Sequence, residues 1–132
     1  MFVRACVYDK GMERKARAGE GFLANPIITV NAAAGNQTIT AAAVMGGVAR
    51  FTGAAGAVTY TMDTGANLAA AMPDMDIGDS YVFRITNTAA QAATIAGSAG
   101  VTAIAGNLIV NATSSMFALV KTGAATFDLY SI

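Results

Sequence analysis

The chain has 132 residues, enough for one domain with a modest core. Its 8 basic and 8 acidic side chains cancel, and charged residues make up only 12% of the chain. With no polybasic patch on the strand region, this leaves little electrostatic footing for nucleic-acid binding and suggests an exterior meant to be covered rather than fully hydrated. There is no His, no Trp and a single Cys. Ser-His-Asp and Cys-His catalysis, zinc binding and an internal disulfide framework are therefore excluded.

Large apolar side chains are only about a third of the chain, the rest of its hydrophobicity being Ala. An Ala-rich core stabilises less per residue, because burial contributes by area, so a lone subunit is expected to be marginal without neighbours. No apolar run reaches the roughly 18 residues of a membrane span. The segment Met1–Tyr8 lacks the long apolar stretch of a secretion signal, and the expectation is synthesis in a reducing compartment.

Residues 1–24 carry Arg4, Asp9, Lys10, Glu13, Arg14, Lys15, Arg17 and Glu20, half of all the charges, with a positive excess. Gly11, Gly19 and Gly21 interrupt any long helix, so the segment reads as an extended arm. Cys6 reads as a small apolar residue within it. Asn25-Pro26 opens the folded part, residues 25–132, because the residue before Pro is pushed out of the helical region.

Ile27–Val30 is a β-branched strand, Thr38–Thr40 begins a second, and Val48–Thr52 is a third. The run Ala41–Met45 between them is ambiguous and is cut short by Gly46-Gly47. Ala57–Thr61 alternates as a half-buried strand. One helix is expected over Ala66–Met72, capped by Asp63 or Thr64 and stopped by Pro73. The loop Asp74–Asp79 is acidic. Its three carboxylates could start a calcium site, but they fit no calcium-loop spacing and read as turn chemistry with Gly78. Ser80–Thr88 is the strongest strand: Tyr81, Phe83 and Ile85 face one way, with Arg84 on the opposite side. Further strands follow at Ala93–Ala96, Val101–Ile104, Leu108–Val110, Ser115–Lys121 and Thr126–Ser131. Turn signals every 8 to 12 residues predict an all-β fold: an antiparallel sandwich or jelly-roll-like domain with one short helix. No phrase recurs at fixed spacing, so the chain does not read as a repeat array.

Nothing in this inventory gathers into a phosphate loop, an activated nucleophile or a ligand cluster. The expectation is a protein without enzymatic activity, cofactor, bound metal or small-molecule substrate. The triplets Thr38-Ile39-Thr40, Thr59-Tyr60-Thr61 and Thr86-Asn87-Thr88 are too unevenly spaced for an ice-binding face and read as exposed strand residues.

From residue 58 onward the order of elements carries a resemblance. An Ala-rich helix ends at Pro73, then come the Ile77-Gly78-Asp79-Ser80 loop and the Tyr81–Thr88 strand. Ala92–Gly97, Gly100-Val101-Thr102, Phe117-Ala118-Leu119-Val120 and the closing Thr126–Ile132 follow. This resembles small structural proteins of tailed-bacteriophage virions: head decoration (cement) proteins and the β-domains of fibre or spike proteins. The resemblance implies a small β-domain, commonly a homotrimer, made in the host cytoplasm and seated on the outer capsid, where it bridges subunits of the major capsid protein. On that basis Arg4, Lys10, Arg14, Lys15 and Arg17 are the expected capsid contacts. Arg84, Phe117, Leu119, Phe127, Leu129 and Tyr130 are the expected subunit contacts, the apolar ones doubling as core. The alternative is a receptor-binding module of a tail fibre or spike, for which the lack of Trp is unfavourable.

Overall fold

The computed structural model describes residues 26–104, 108–110 and 113–132. The expected N-terminal arm, with Arg4, Lys10, Arg14, Lys15 and Arg17, lies outside the described residues.

Ten strands and two helices follow one another in these residues: β1 (Ile27–Asn31), β2 (Gln37–Ile39), α1 (Ala41–Gly46), β3 (Gly47–Phe51), β4 (Val58–Met62), α2 (Gly65–Ala71), β5 (Ser80–Asn87), β6 (Ala93–Ala96), β7 (Val101–Ala103), β8 (Leu108–Val110), β9 (Ser114–Gly123) and β10 (Thr126–Ser131). They form a six-stranded sheet in the order β1-β3-β5-β9-β10-β7 and a four-stranded sheet in the order β2-β4-β6-β8.

The expected antiparallel sandwich is corrected here: the fold is mixed α/β. Through β8 each successive strand belongs to the other sheet, so the chain winds as a coil. Up to β6 the paired strands one full winding apart run the same way: β1/β3, β3/β5, β2/β4 and β4/β6 are all parallel. The turn signals that pointed to an antiparallel fold are, through β8, crossings between sheets. A tight hairpin joins β9 to β10, and antiparallel pairing also sets β9 against β5 and β8 against β6. The coil has no fixed period because the inserts differ: α1 lies in the β2-to-β3 crossing, and α2 plus a long loop in the β4-to-β5 crossing.

Both helices begin on a threonine. The Thr40 side chain accepts from Ala43 N and the Thr64 side chain from Asn67 N, each satisfying a donor the first helical turn leaves free. The Ala41–Met45 run is therefore helical. Gly47 ends α1 at φ 96°, a left-handed conformation costly for other residues, and its N–H donates to the Val44 carbonyl. This lets β3 start with no linker.

The core lies between the sheets. Tyr81, Phe83 and Ile85 of β5 meet Phe117 and Leu119 of β9 and Phe127 and Leu129 of β10, all buried. The Phe83 and Phe117 rings lie 5.9 Å apart across paired strands. Phe51 of one sheet stacks on Tyr60 of the other, with centroids 3.9 Å apart. Two buried tyrosines differ in their polar ends. Tyr81 Oη donates to the Met45 carbonyl at 2.9 Å, whereas Tyr60 Oη has no hydrogen-bond partner among the described residues. Burial raises the pKa of both phenols.

Asp63 ties the crossings together. Its carboxylate accepts from Ala41 N (2.9 Å), Thr64 N (2.8 Å) and Asn67 Nδ2 (2.8 Å), and its carbonyl accepts from Ser98 Oγ (2.7 Å). Burial pushes its pKa up, but the hydrogen bonds from Asn67, Ala41 and Thr64 together outweigh that and hold it below the ordinary carboxylate value. Beside it Gly65 packs against backbone: a Cβ there would lie 2.0 Å from the Ala125 carbonyl oxygen.

Candidate interaction surface

One face of the six-stranded sheet forms the core. Among the described residues the opposite face is covered by neither helix nor sheet. The period-2 alternation of β5 puts Val82, Arg84 and Thr86 on it, as the sequence pattern predicts. Pairing fixes their neighbours. Ile28, Val48, Arg84 and Met116 lie in one row across four strands, and Val82, Ala118 and Tyr130 in another. These two rows are apolar apart from Arg84, which donates from Nη1 to Ser114 Oγ at 3.0 Å, while the rows beside them, Val30-Arg50-Thr86-Ser114 and Ser80-Val120-Asp128-Thr102, are mostly polar. Arg50, exposed on β3 beside Val30, adds a second positive charge, and half-buried Asp128 on β10 an acidic one.

This sorts the expected subunit contacts. Phe117, Leu119, Phe127 and Leu129 point into the chain's own core and have no surface to offer a neighbour. Arg84 is exposed and Tyr130 is 38% exposed, so both remain available. Arg50 was not singled out in the sequence, though the alternation Val48-Ala49-Arg50-Phe51 places it beside Val48 on the same face.

The sequence also gave no hint of the state of β1. Ile27, Ile28 and Val30 are 70%, 57% and 57% exposed, although Ile-Ile-Thr-Val has the composition of a buried strand. β1 is the terminal strand of its sheet, so its far side is open among the described residues.

The acidic loop folds as a turn. The Asp79 carboxylate accepts from Asp76 N at 2.9 Å, Gly78 adopts φ 96°, and Lys121 Nζ donates to the Met75 carbonyl at 3.0 Å, clamping the loop onto β9. Among the described residues no three potential metal ligands cluster, and no helix is long and apolar enough to cross a membrane. No protein family, characterised protein or solved structure matches the chain.

Proposed function

We propose that this chain is a structural protein of a bacteriophage virion, decorating the outer surface of the head and stabilising contacts between capsomers, with no catalytic role. The observation that carries this reading is the outward face of the six-stranded sheet: apolar rows set with Arg84 and flanked by Arg50, continuous with an exposed apolar edge. Such surfaces mark association sites, and arginine among apolar residues is the composition of an interface centre. The sparse charge of the chain supports the same reading.

In this proposal the sheet face, with Arg84, Arg50 and Tyr130, meets the major capsid protein or a neighbouring copy. The arm residues Arg4, Lys10, Arg14, Lys15 and Arg17 pair with acidic groups on the capsid. Contacts that are weak singly become strong when repeated over a symmetric shell. The resemblance supports a homotrimer as the unit that docks.

The test is the stability of phage heads assembled with and without the protein, under heating and osmotic shock. Heads lacking it should rupture at lower temperature, and adding purified protein back should restore them. Equal stability of the two preparations removes the decoration role.

A further inference from the structure

Among the described residues the outer edge of β1 pairs with no strand, and its geometry specifies which strand it can receive. The Asn31 carbonyl accepts from Thr52 N at 3.0 Å, with Asn31 in register with Phe51. In a parallel pair, one residue directs its N–H and its C=O to the same neighbour. Ile27, Thr29 and Asn31 therefore serve β3, while the main-chain groups of Ile28 and Val30 point away from the sheet. The side chains of Ile27–Val30 are exposed as well. From Pro26 to Ala49 the sequence contains no charge, so the edge lacks the Lys or Glu that usually guards an open strand.

The other described edges are of a different kind. β7, at the far end of the same sheet, has three residues. Its outward groups at Val101 are engaged by Ser98, through Ser98 N to Val101 O and Val101 N to Ser98 O, both 3.0 Å. The edges of the smaller sheet, β2 and β8, have three residues each. None offers a five-residue partner for a head-to-tail contact. A second β1 does, because a two-fold contact needs only a self-complementary patch.

We infer that β1 joins two copies of this chain as an antiparallel pair about a two-fold axis at Thr29. In that register Ile28 lies opposite Val30 of the second copy. Both have outward-directed main-chain groups, so the two positions form the reciprocal hydrogen-bonded pairs of an antiparallel ladder. Ile28 and Val30 meet on the outward face, so the contact merges two six-stranded sheets and doubles the surface described above. The inference deepens the assembly reading and rests on it for the need to cover that surface. Because the contact is two-fold, it joins chains in pairs whatever other contacts group them.

The mass of the full-length protein in solution is the first measurement, by sedimentation from ~1 to ~100 µM. An even-numbered assembly that dissociates on dilution is expected. Ile28→Pro removes an N–H that β3 does not use, and Val30→Lys places a charge in the contact; each should raise the dissociation constant at least ~10-fold while leaving circular dichroism unchanged. In a Cys6→Ser background, Thr29→Cys puts two thiols across the axis, with Cα atoms ~4.5 Å apart, inside the disulfide range. It should oxidise to a covalent dimer much faster than Val30→Cys.

A monomer throughout the range, a strict trimer, wild-type assembly in both edge variants, or equal cross-linking at the two cysteine positions would each overturn the inference. Head binding by the same preparations separates the two claims. A protein that pairs through β1 but leaves heads unaffected defeats only the decoration role, and a monomer that still cements heads defeats only the pairing.

Discussion

Tyr60 and Tyr81 are both fully buried, and replacing each by Phe should move stability in opposite directions. Tyr60 Oη lacks a partner among the described residues, and an unsatisfied buried polar group costs roughly 1–3 kcal/mol. Tyr60→Phe removes that cost and keeps the ring stacked on Phe51, at the expense of a few dispersion contacts made by the lost oxygen. A net stabilisation of about 1 kcal/mol is expected. Tyr81→Phe deletes the 2.9 Å bond to the Met45 carbonyl and leaves that acceptor buried, so a loss of about 1–2 kcal/mol is expected. Urea titrations at pH 7 read both, and an unchanged m-value makes the midpoint shift a stability change. The sign of the pH dependence follows from the same burial. Both phenols have raised folded pKa values, so stability is intact below the unfolded value of about 10 and falls as pH rises beyond it. The double Phe variant should flatten that decline. Destabilisation by Tyr60→Phe of more than about 0.5 kcal/mol would refute the reasoning, because it would mean the hydroxyl is bonded in solution.

Further outcomes follow from the crossings and the outer face. Asp63→Asn can keep only one of the two acceptor oxygens and should cost about 1–2 kcal/mol at neutral pH by thermal or urea unfolding. Since the folded pKa of Asp63 lies below its unfolded value near 3.9, the difference from wild type should persist above that pH and shrink as the medium is acidified through the lower folded value. Gly65→Ala forces a methyl against the Ala125 carbonyl and should destabilise by about 3 kcal/mol or more, visible as a lowered Tm. Arg84→Glu reverses a charge on an exposed strand position, so the fold should persist while affinity for phage heads falls at least ~10-fold at low salt.

Individual elements were largely readable from residues alone. Tyr81, Phe83 and Ile85 alternate against Val82, Arg84 and Thr86, and the structure buries the first set and leaves the second outward. The helix ahead of Pro73 starts where its Thr64 cap indicates. The direction of pairing was not readable. Alternation has a period of two in parallel and antiparallel strands alike, so the pattern identifies strands without orienting them. Direction depends on whether a turn folds back within one sheet or carries the chain across to the other. In β3-to-β4 it crosses, although Gly53-Ala54-Ala55-Gly56 has the composition of a hairpin. Ala41–Gly46 was undecided for a local reason: six residues are too few for propensity to outweigh the two glycines, and the helix is settled by Thr40 and by packing on β1 and β3. On the outer surface, Arg84 followed from alternation, whereas the openness of β1 depends on its terminal place in the sheet, a long-range property its own five residues cannot encode.

The position of β9 has a consequence for biosynthesis. It is inserted between β5 and β10, so the larger sheet cannot close until residues 114–131 have been translated. Until then a nascent chain that has already made Tyr81, Phe83 and Ile85 carries them without their paired strand β9, and transiently exposed apolar surface of that kind is what chaperones bind. Folding of the larger sheet is thus delayed to the point when its central hairpin leaves the ribosome, and pausing before codon 114 should lengthen chaperone occupancy.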